Sequence, residues 1–196
     1  SKKEQVSKMF NGIAPYYDFL NRLLSLGIDT IWRKKAINQL REDRPQQVLD
    51  VATGTADVAL ELARRLKPQK VIGLDISSQM LDIGRQKIAK RELDDTIELQ
   101  LGDSENLPFA NNTFDAITVA FGVRNFEHLE KGLQEMYRVL KPGGKLVVLE
   151  FSKPRVFPFR QLYDFYFRNI LPAVGRLTSK DPRAYSYLYE SVQAFP

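Results

Sequence analysis

The chain has 196 residues, 43% hydrophobic and 27% charged, with a formal net charge of +5. This length and balance predict one globular domain with a sizeable core. Cysteine is absent and His128 is the only histidine, which excludes disulfides and thiolate metal sites and argues against a zinc enzyme, so we expect no metal. The net charge is small, and charged residues of one sign form no long run in the sequence. We therefore expect no nucleic-acid partner.

The first 44 residues are predicted to be helical, and short apolar runs then alternate with helical stretches. The predicted strands are 47–52, 70–76, 96–103, 114–122 and 145–152, and the predicted helices between them are 56–66, 77–93 and 129–140. The last helix is followed by a predicted turn, "KPGG" at 141–144.

This alternation of strands and helices predicts an α/β fold. Strands rich in valine and isoleucine, joined by helical crossovers, pair in parallel with helices on both faces of the sheet. Ligands of such sheets bind at the carboxyl ends of the strands.

We interpret residues 1–196 as a single domain with three parts. A cofactor-binding core covers 45–153, a helical lid covers 1–44, and an aromatic-rich segment on the substrate side covers 154–196. The alternative for both outer segments is that they merely cover the end of the sheet.

The stretch "LDVATGTADVAL" (49–60) reads as a strand, a tight turn and a helix. Its turn carries one glycine, Gly54, and has Ala52 and Ala56 where a dinucleotide-binding turn would have further glycines. Asp75 follows 21 residues after Gly54, close to the offset at which a carboxylate accepts hydrogen bonds from a ribose diol. A ligand with a ribose and no phosphates suits this pattern better than NAD.

S-adenosylmethionine is such a ligand. Its amino-acid end would meet the turn at Gly54 and Thr55, its ribose Asp75, and its adenine Asp103 and Ser104. Asp50, Asp75 and Asp103 all fall at predicted strand ends, although aspartate is also common there as a turn or cap residue.

Several motifs together resemble a known family. They are "VLDVATGTAD", "GLDIS", "GDSENLPFANNTFDAI", "FGVRN" and "YRVLKPGGKLVVLEFSKP". They are similar to class I S-adenosylmethionine-dependent methyltransferases with a Rossmann-like fold, and more narrowly to the C-methyltransferases of menaquinone and ubiquinone biosynthesis. The N-terminal "MFNGIAPYYDFLNRLLSLGIDTIWRK" favours the narrower assignment.

The resemblance implies a cofactor site of six residues and a longer chain. The implied residues are Asp50, Gly54, Thr55, Asp75, Asp103 and Ser104. The sequence departs from the family pattern at "TGTAD", at Asp103, which is often asparagine, and at Ala120, which is often serine. Because relatives continue beyond Pro196, we expect the last two strands of a seven-stranded sheet to be missing from this chain.

The resemblance also implies the reaction. A reduced polyprenyl quinone, ionised at a hydroxyl, attacks the sulfonium methyl through a ring carbon and releases S-adenosylhomocysteine. Four residues are assigned to catalysis. Arg124 would stabilise the phenolate or polarise a water, and Asn125 would orient that water or a quinol oxygen. Tyr17 and Asp18 would close the site. The candidates for the general base that removes the hydroxyl proton are these four residues and His128. For His128, a solvated or packed role is the alternative.

We expect demethylmenaquinol as substrate, because a chain with no leader is typical of a bacterial cytoplasmic protein. The ubiquinone-precursor benzoquinol is the alternative acceptor, and a non-catalytic cofactor-binding subunit is the alternative role. The quinol's insoluble tail implies transient contact with a membrane surface, at the inner face of the cell membrane. A homodimer is compatible with the resemblance.

Overall fold

A computed structural model describes residues 1–25 and 27–151. Beyond Phe151 it describes a few separate positions, namely Gln161, Phe165, Tyr166, Asn169, Tyr187 and 190–192. The predicted segment 154–196 and any strands after β5 therefore lie almost wholly outside the described residues.

Five parallel strands form one sheet in the order β3-β2-β1-β4-β5. They are β1 (Gln47–Val51), β2 (Lys70–Asp75), β3 (Ile97–Leu101), β4 (Phe114–Ala120) and β5 (Leu140–Leu149). The chain runs outward from β1 to β3 and then returns to the other side of β1 at β4. This reversal leaves a crevice beyond the carboxyl end of β1, where α/β folds bind ligands.

Within the described residues up to Phe151, six α-helices accompany the sheet. They are α1 (Lys2–Ile13), α2 (Tyr17–Leu24), α3 (Asp29–Asn38), α4 (Asp57–Leu66), α5 (Ser78–Ala89) and α6 (Leu129–Val139). The predicted helix 77–93 ends earlier than expected, because the chain turns after Ala89 and Glu92 takes a left-handed conformation.

Helices pack on both faces of the sheet. On one face, buried residues of α3, α4 and α5 such as Ile37, Leu62 and Leu81 join one apolar cluster. On the other face, Met136 and Val139 of α6 join a second cluster with alternate residues of the strands. The expected α/β architecture with a parallel sheet covered on both sides is confirmed.

The predicted "KPGG" turn lies inside β5 rather than before it. Leu140 pairs with Phe114 and Lys145 pairs with Ala116, so residues 141–144 bulge opposite the single residue Asp115. Gly143, at φ +80°, supplies the left-handed position that this bulge needs.

Candidate functional site

The turn after β1 has three residues in the left-handed region. Ala52, Gly54 and Ala56 have φ values of 54°, 58° and 68°. Only glycine adopts this region without steric cost, so the two alanines hold strained backbone. The turn therefore has the shape of a glycine-rich loop, as the spacing of the sequence predicted.

Asp50, near the end of β1, holds this turn in place. Its carboxylate accepts a hydrogen bond from the Thr53 hydroxyl and another from the Thr118 hydroxyl on β4, each at 2.6 Å. Burial raises the pKa of Asp50 to about 6, because water is excluded from the charged form. With both oxygens bound by protein hydroxyls, Asp50 positions the turn and does not line the cavity over the strand ends.

Asp75 connects the end of β2 to the same turn. Its Oδ2 accepts from the backbone N–H of Gly54 at 2.8 Å, and its Oδ1 accepts from that of Ser77 at 2.9 Å. Burial raises the pKa of this carboxyl above its ordinary value. Each carboxylate oxygen keeps a further lone pair, so Asp75 can still accept from a ligand's hydroxyls.

One cavity brings six of the sequence-predicted residues together. It lies over the carboxyl ends of the strands and under α1. Its lining includes Gly54, Asp75, Asp103, Ser104, Tyr17 and Asn125. Phe10, Phe121 and Phe126 add an aromatic wall to this polar set.

The charges around the cavity are mostly negative. Four acidic residues, Asp75, Asp103, Glu105 and Glu127, line it together with Lys3. Lys3 reaches from α1 to Asp103 at 2.6 Å and to Glu105 at 2.8 Å, so this cation is already paired. An acidic cavity repels a pyrophosphate and attracts a cationic sulfonium, which fits S-adenosylmethionine and counts against NAD.

Asp18 and Thr55 meet each other outside this cavity. The Thr55 hydroxyl donates to Asp18 at 2.6 Å, and the Lys87 ammonium donates to Thr55 at 3.0 Å and pairs with Asp18 and Asp57. Because their polar groups are bound by α5, the structure does not bring Asp18 or Thr55 to the cavity wall. They connect α2 to the turn instead.

Arg124 also lies behind the cavity wall. Its guanidinium is 6% exposed, pairs with Glu150 at 2.5 Å and donates to the Phe121 carbonyl at 2.7 Å. The neighbouring Asn125 does line the cavity, and its Oδ1 accepts from the Tyr187 hydroxyl at 3.0 Å. His128 is exposed as the N-cap of α6, and its backbone N–H donates to Glu105.

Sequence reasoning did not identify Lys3, Glu105 and Glu150. Glu150 directly follows β5, and Glu105 lies just after the end of β3. The rule that pointed to Asp75 and Asp103, an acidic residue where a parallel strand ends, would have identified both. Lys3 carries no such signal, because its partners are about 100 residues away.

The described residues contain no group of histidine and acidic side chains that could hold a metal ion. None of their helices combines the length and the apolar character needed to cross a bilayer.

Comparison with known proteins agrees with this geometry. A relative from Bacteroides fragilis, named demethylmenaquinone methyltransferase, is 54% identical over 195 residues, covering 100% of this chain and 80% of its own. A relative from Geotalea daltonii, named ubiquinone/menaquinone biosynthesis C-methyltransferase UbiE, is 50% identical, covering 100% and 83%.

The fold also matches solved structures. A SAM dependent methyltransferase from Aquifex aeolicus superposes with a TM-score of 0.54 at 24% identity, over 64% of this chain and 70% of that one. The ubiE/COQ5 methyltransferase family matches residues 1–196, which confirms the resemblance found in the sequence. The chain belongs to the ubiE/COQ5 methyltransferase family.

Proposed function

We propose that this protein methylates a ring carbon of a reduced polyprenyl quinone, demethylmenaquinol, using S-adenosylmethionine. The observation that carries the proposal is one cavity lined both by polar residues and backbone at Gly54, Asp75, Asp103 and Ser104 and by aromatic rings at Tyr17 and Phe121. The polar lining suits a nucleoside with a cationic sulfur, and the aromatic lining suits an apolar ring. The names of the relatives, above all the one from Bacteroides fragilis, support this acceptor.

The cofactor residues have separable tasks. Asp75 would accept hydrogen bonds from the ribose hydroxyls, Asp103 and Ser104 would bind the adenine end, and the backbone around Gly54 would receive the amino-acid end. Asp50 and Thr55 would support the cofactor site without contacting the cofactor. Asp50 holds Thr53, and Thr55 connects the turn to Asp18 and Lys87. Bound S-adenosylmethionine supplies an electrophilic methyl group on its sulfonium.

Tyr17 and Asn125 act on the quinol. Desolvation raises the pKa of the Tyr17 phenol, so its hydroxyl stays protonated at neutral pH and donates a hydrogen bond to the quinol oxygen. The Asn125 amide uses its oxygen to accept from Tyr187, which leaves its N–H groups to donate to a developing phenolate.

Arg124 acts through its neighbours. Paired with Glu150 and bound to the Phe121 carbonyl, it fixes the peptide that carries Phe121 and Asn125 at the cavity. Its field stabilises negative charge nearby, and we assign it a positioning role.

The aromatic wall keeps water from the reacting groups, and α1 closes the site as a lid. In a dry cavity the opposite charges of phenolate and sulfonium are poorly solvated, which favours their neutralisation by methyl transfer. Lys3, Val6 and Phe10 of α1 line the cavity and supply this cover. All these residues come from one chain, so the proposal needs no second copy, although a homodimer is compatible with it.

The long tail of the substrate places the reaction at a membrane. We propose that the protein visits the inner face of the cell membrane transiently, as a peripheral enzyme. The benzoquinol precursor of ubiquinone is the second candidate acceptor, favoured by the name of the Geotalea daltonii relative.

The test is transfer of labelled methyl to short-tailed demethylmenaquinol and to the demethylated benzoquinol, each offered reduced and oxidised. We expect methylation of the reduced naphthoquinol and none of the oxidised forms, because only the quinol can ionise to a nucleophilic phenolate. Transfer to the benzoquinol alone would overturn the choice of acceptor, and transfer to oxidised quinone would overturn the phenolate mechanism.

A pair of variants checks the cofactor site by calorimetry. Asp75→Ala should weaken S-adenosylmethionine binding about a hundredfold, because two charge-assisted hydrogen bonds of about 1.5 kcal/mol each are lost. Asp82→Ala, an exposed aspartate on α5, is the matched control and should bind normally. Equal affinities of the two variants would contradict the assignment.

A further inference from the structure

Five large apolar side chains between residues 16 and 32 are exposed, on α2 and α3 or directly before them. We call them the apolar face: Tyr16, Phe19, Ile28, Ile31 and Trp32, with exposed fractions of 37–56%. Ile28, Ile31 and Trp32 follow the i, i+3, i+4 spacing of one side of a helix. The opposite side of α3, at Asp29, Arg33 and Ile37, is buried.

Unpaired cations border the apolar face. Arg22 on α2 and Lys34 and Lys35 on α3 are exposed, and none of them forms an ion pair with any carboxylate in the part of the chain that the structure describes. Arg22 and Lys34 also line a groove that contains three further arginines and the carboxylates of Asp57 and Glu61. We call Arg22, Lys34 and Lys35 the basic rim.

A row of aromatic rings leads from the apolar face to the cavity. Trp32 meets Phe151 edge to face, with ring centroids 6.1 Å apart, and Phe151 stacks on Phe121 at 4.4 Å. Phe121 in turn lines the cavity. The exposed helix surface and the reaction site are thus joined by apolar contacts.

We propose that the apolar face and the basic rim dock on a bilayer that contains anionic lipids. Exposed aromatic and aliphatic side chains beside unpaired cations are the composition of helices that lie in a membrane interface. Tryptophan and tyrosine prefer the headgroup level, and each basic residue near the surface adds attraction to anionic lipid. The row from Trp32 to Phe121 then connects the docked surface to the cavity through apolar contacts.

The biological role of the docking surface rests on the proposed function, but its binding to a bilayer does not. A protein partner or the remaining length of this chain could also cover an apolar face. The basic rim favours an anionic surface over these, because the cations would otherwise be buried without partners.

The test is co-sedimentation with vesicles of phosphatidylglycerol and phosphatidylcholine, compared with phosphatidylcholine alone. We expect tighter binding to the anionic vesicles, weakened by salt. Phe19→Ser with Ile31→Ser should lower the partition coefficient about tenfold, because two apolar side chains no longer enter the interface. Lys34→Gln with Lys35→Gln should lower it about tenfold on anionic vesicles alone.

Matched controls come from elsewhere on the molecule. Leu133→Ser with Tyr137→Ser changes two exposed apolar residues of α6, on the other side of the sheet, and Lys131→Gln with Lys67→Gln removes two exposed cations. Both pairs should bind vesicles as the parent protein does. Equal losses in the control pairs and the docking pairs, or no vesicle binding by the parent, would overturn the proposal.

Turnover separates this proposal from the proposed function. The docking variants should keep normal kcat/KM on a short-tailed quinol in solution and lose about tenfold on a long-tailed quinol held in vesicles. Failure of the parent to methylate the short-tailed quinol would overturn the function alone. Equal rates of parent and docking variants on the vesicle substrate would overturn the docking surface alone.

Discussion

At the scale of single residues, the site depends on carboxylates whose surroundings differ. Asp50 is enclosed by two threonine hydroxyls, Asp75 by backbone N–H groups, and Asp103 by the Lys3 ammonium. The same side chain thus positions a turn in the first case, offers acceptors to a ligand in the second and fastens a helix in the third.

Asp50 gives a pH-dependent prediction. Its pKa of about 6 in the folded protein exceeds the ordinary 3.8, so between about pH 4 and 6 the folded state keeps a proton that the unfolded chain has lost. Stability from this group is therefore present at acid pH and lost as the pH rises, by about 3 kcal/mol in all. Asp50→Asn removes this titration, so its free energy of unfolding should improve relative to the parent as the pH rises from 4 to 7.

Urea unfolding at several pH values measures that difference. Other carboxylates that titrate on unfolding, such as Asp57 and Glu105, are common to both proteins and cancel in the comparison. Asp82→Asn, at an exposed position, should differ from the parent by a constant amount. A constant difference for Asp50→Asn as well would contradict the proposed burial of an ionisable carboxyl.

At the scale of elements, α1 is the part that closes the cavity. Its Lys3 pairs with Asp103 and Glu105, and its Asn11 accepts from the hydroxyl of Ser77, the N-cap of α5. These contacts fasten the helix over the strand ends. We therefore expect entry and release of the cofactor to break these contacts.

Lys3→Met should speed cofactor release. A partly exposed ion pair contributes about 0.5–1 kcal/mol, so loss of this pair should raise the dissociation rate of labelled S-adenosylmethionine about threefold. Lys8→Met changes an exposed lysine of the same helix and should leave the rate unchanged. The Lys3 effect should vanish in 1 M salt, and equal rates for both variants at low salt would show that α1 is not held by this pair.

The elements of the core were predictable from the sequence, because valine-rich strands and amphipathic helices carry local signals. Gly54, Asp75, Asp103 and Ser104 were predictable as neighbours, because parallel strands end at one edge of a sheet. The partners of Thr55 and Arg124 were not predictable, since Lys87 and Glu150 come to them through packing of distant segments. The bulge in β5 was missed because proline and glycine signal a turn without showing whether the strand has already begun.

At the scale of the whole molecule, the reaction site joins three regions of the chain. The strand ends supply the proposed cofactor residues, α1 and the start of α2 supply the proposed cover, and the segment after β4 supplies Asn125 and Phe126. The apolar face consists of residues of α2 and α3 and of the positions directly before these helices, Tyr16 and Ile28. We therefore expect this surface to meet the lipid phase while the polar residues of the cavity stay at the strand ends.

The most direct test of the central claim is where the methyl group goes. With S-adenosylmethionine labelled with carbon-13 in its methyl group, the product formed from short-tailed demethylmenaquinol is analysed by nuclear magnetic resonance. We predict that the label appears as an aryl methyl on the ring carbon beside a hydroxyl, and that Asp75→Ala greatly slows its appearance. A label found as a methoxy group on oxygen would contradict the account, as would a product whose formation does not depend on Asp75.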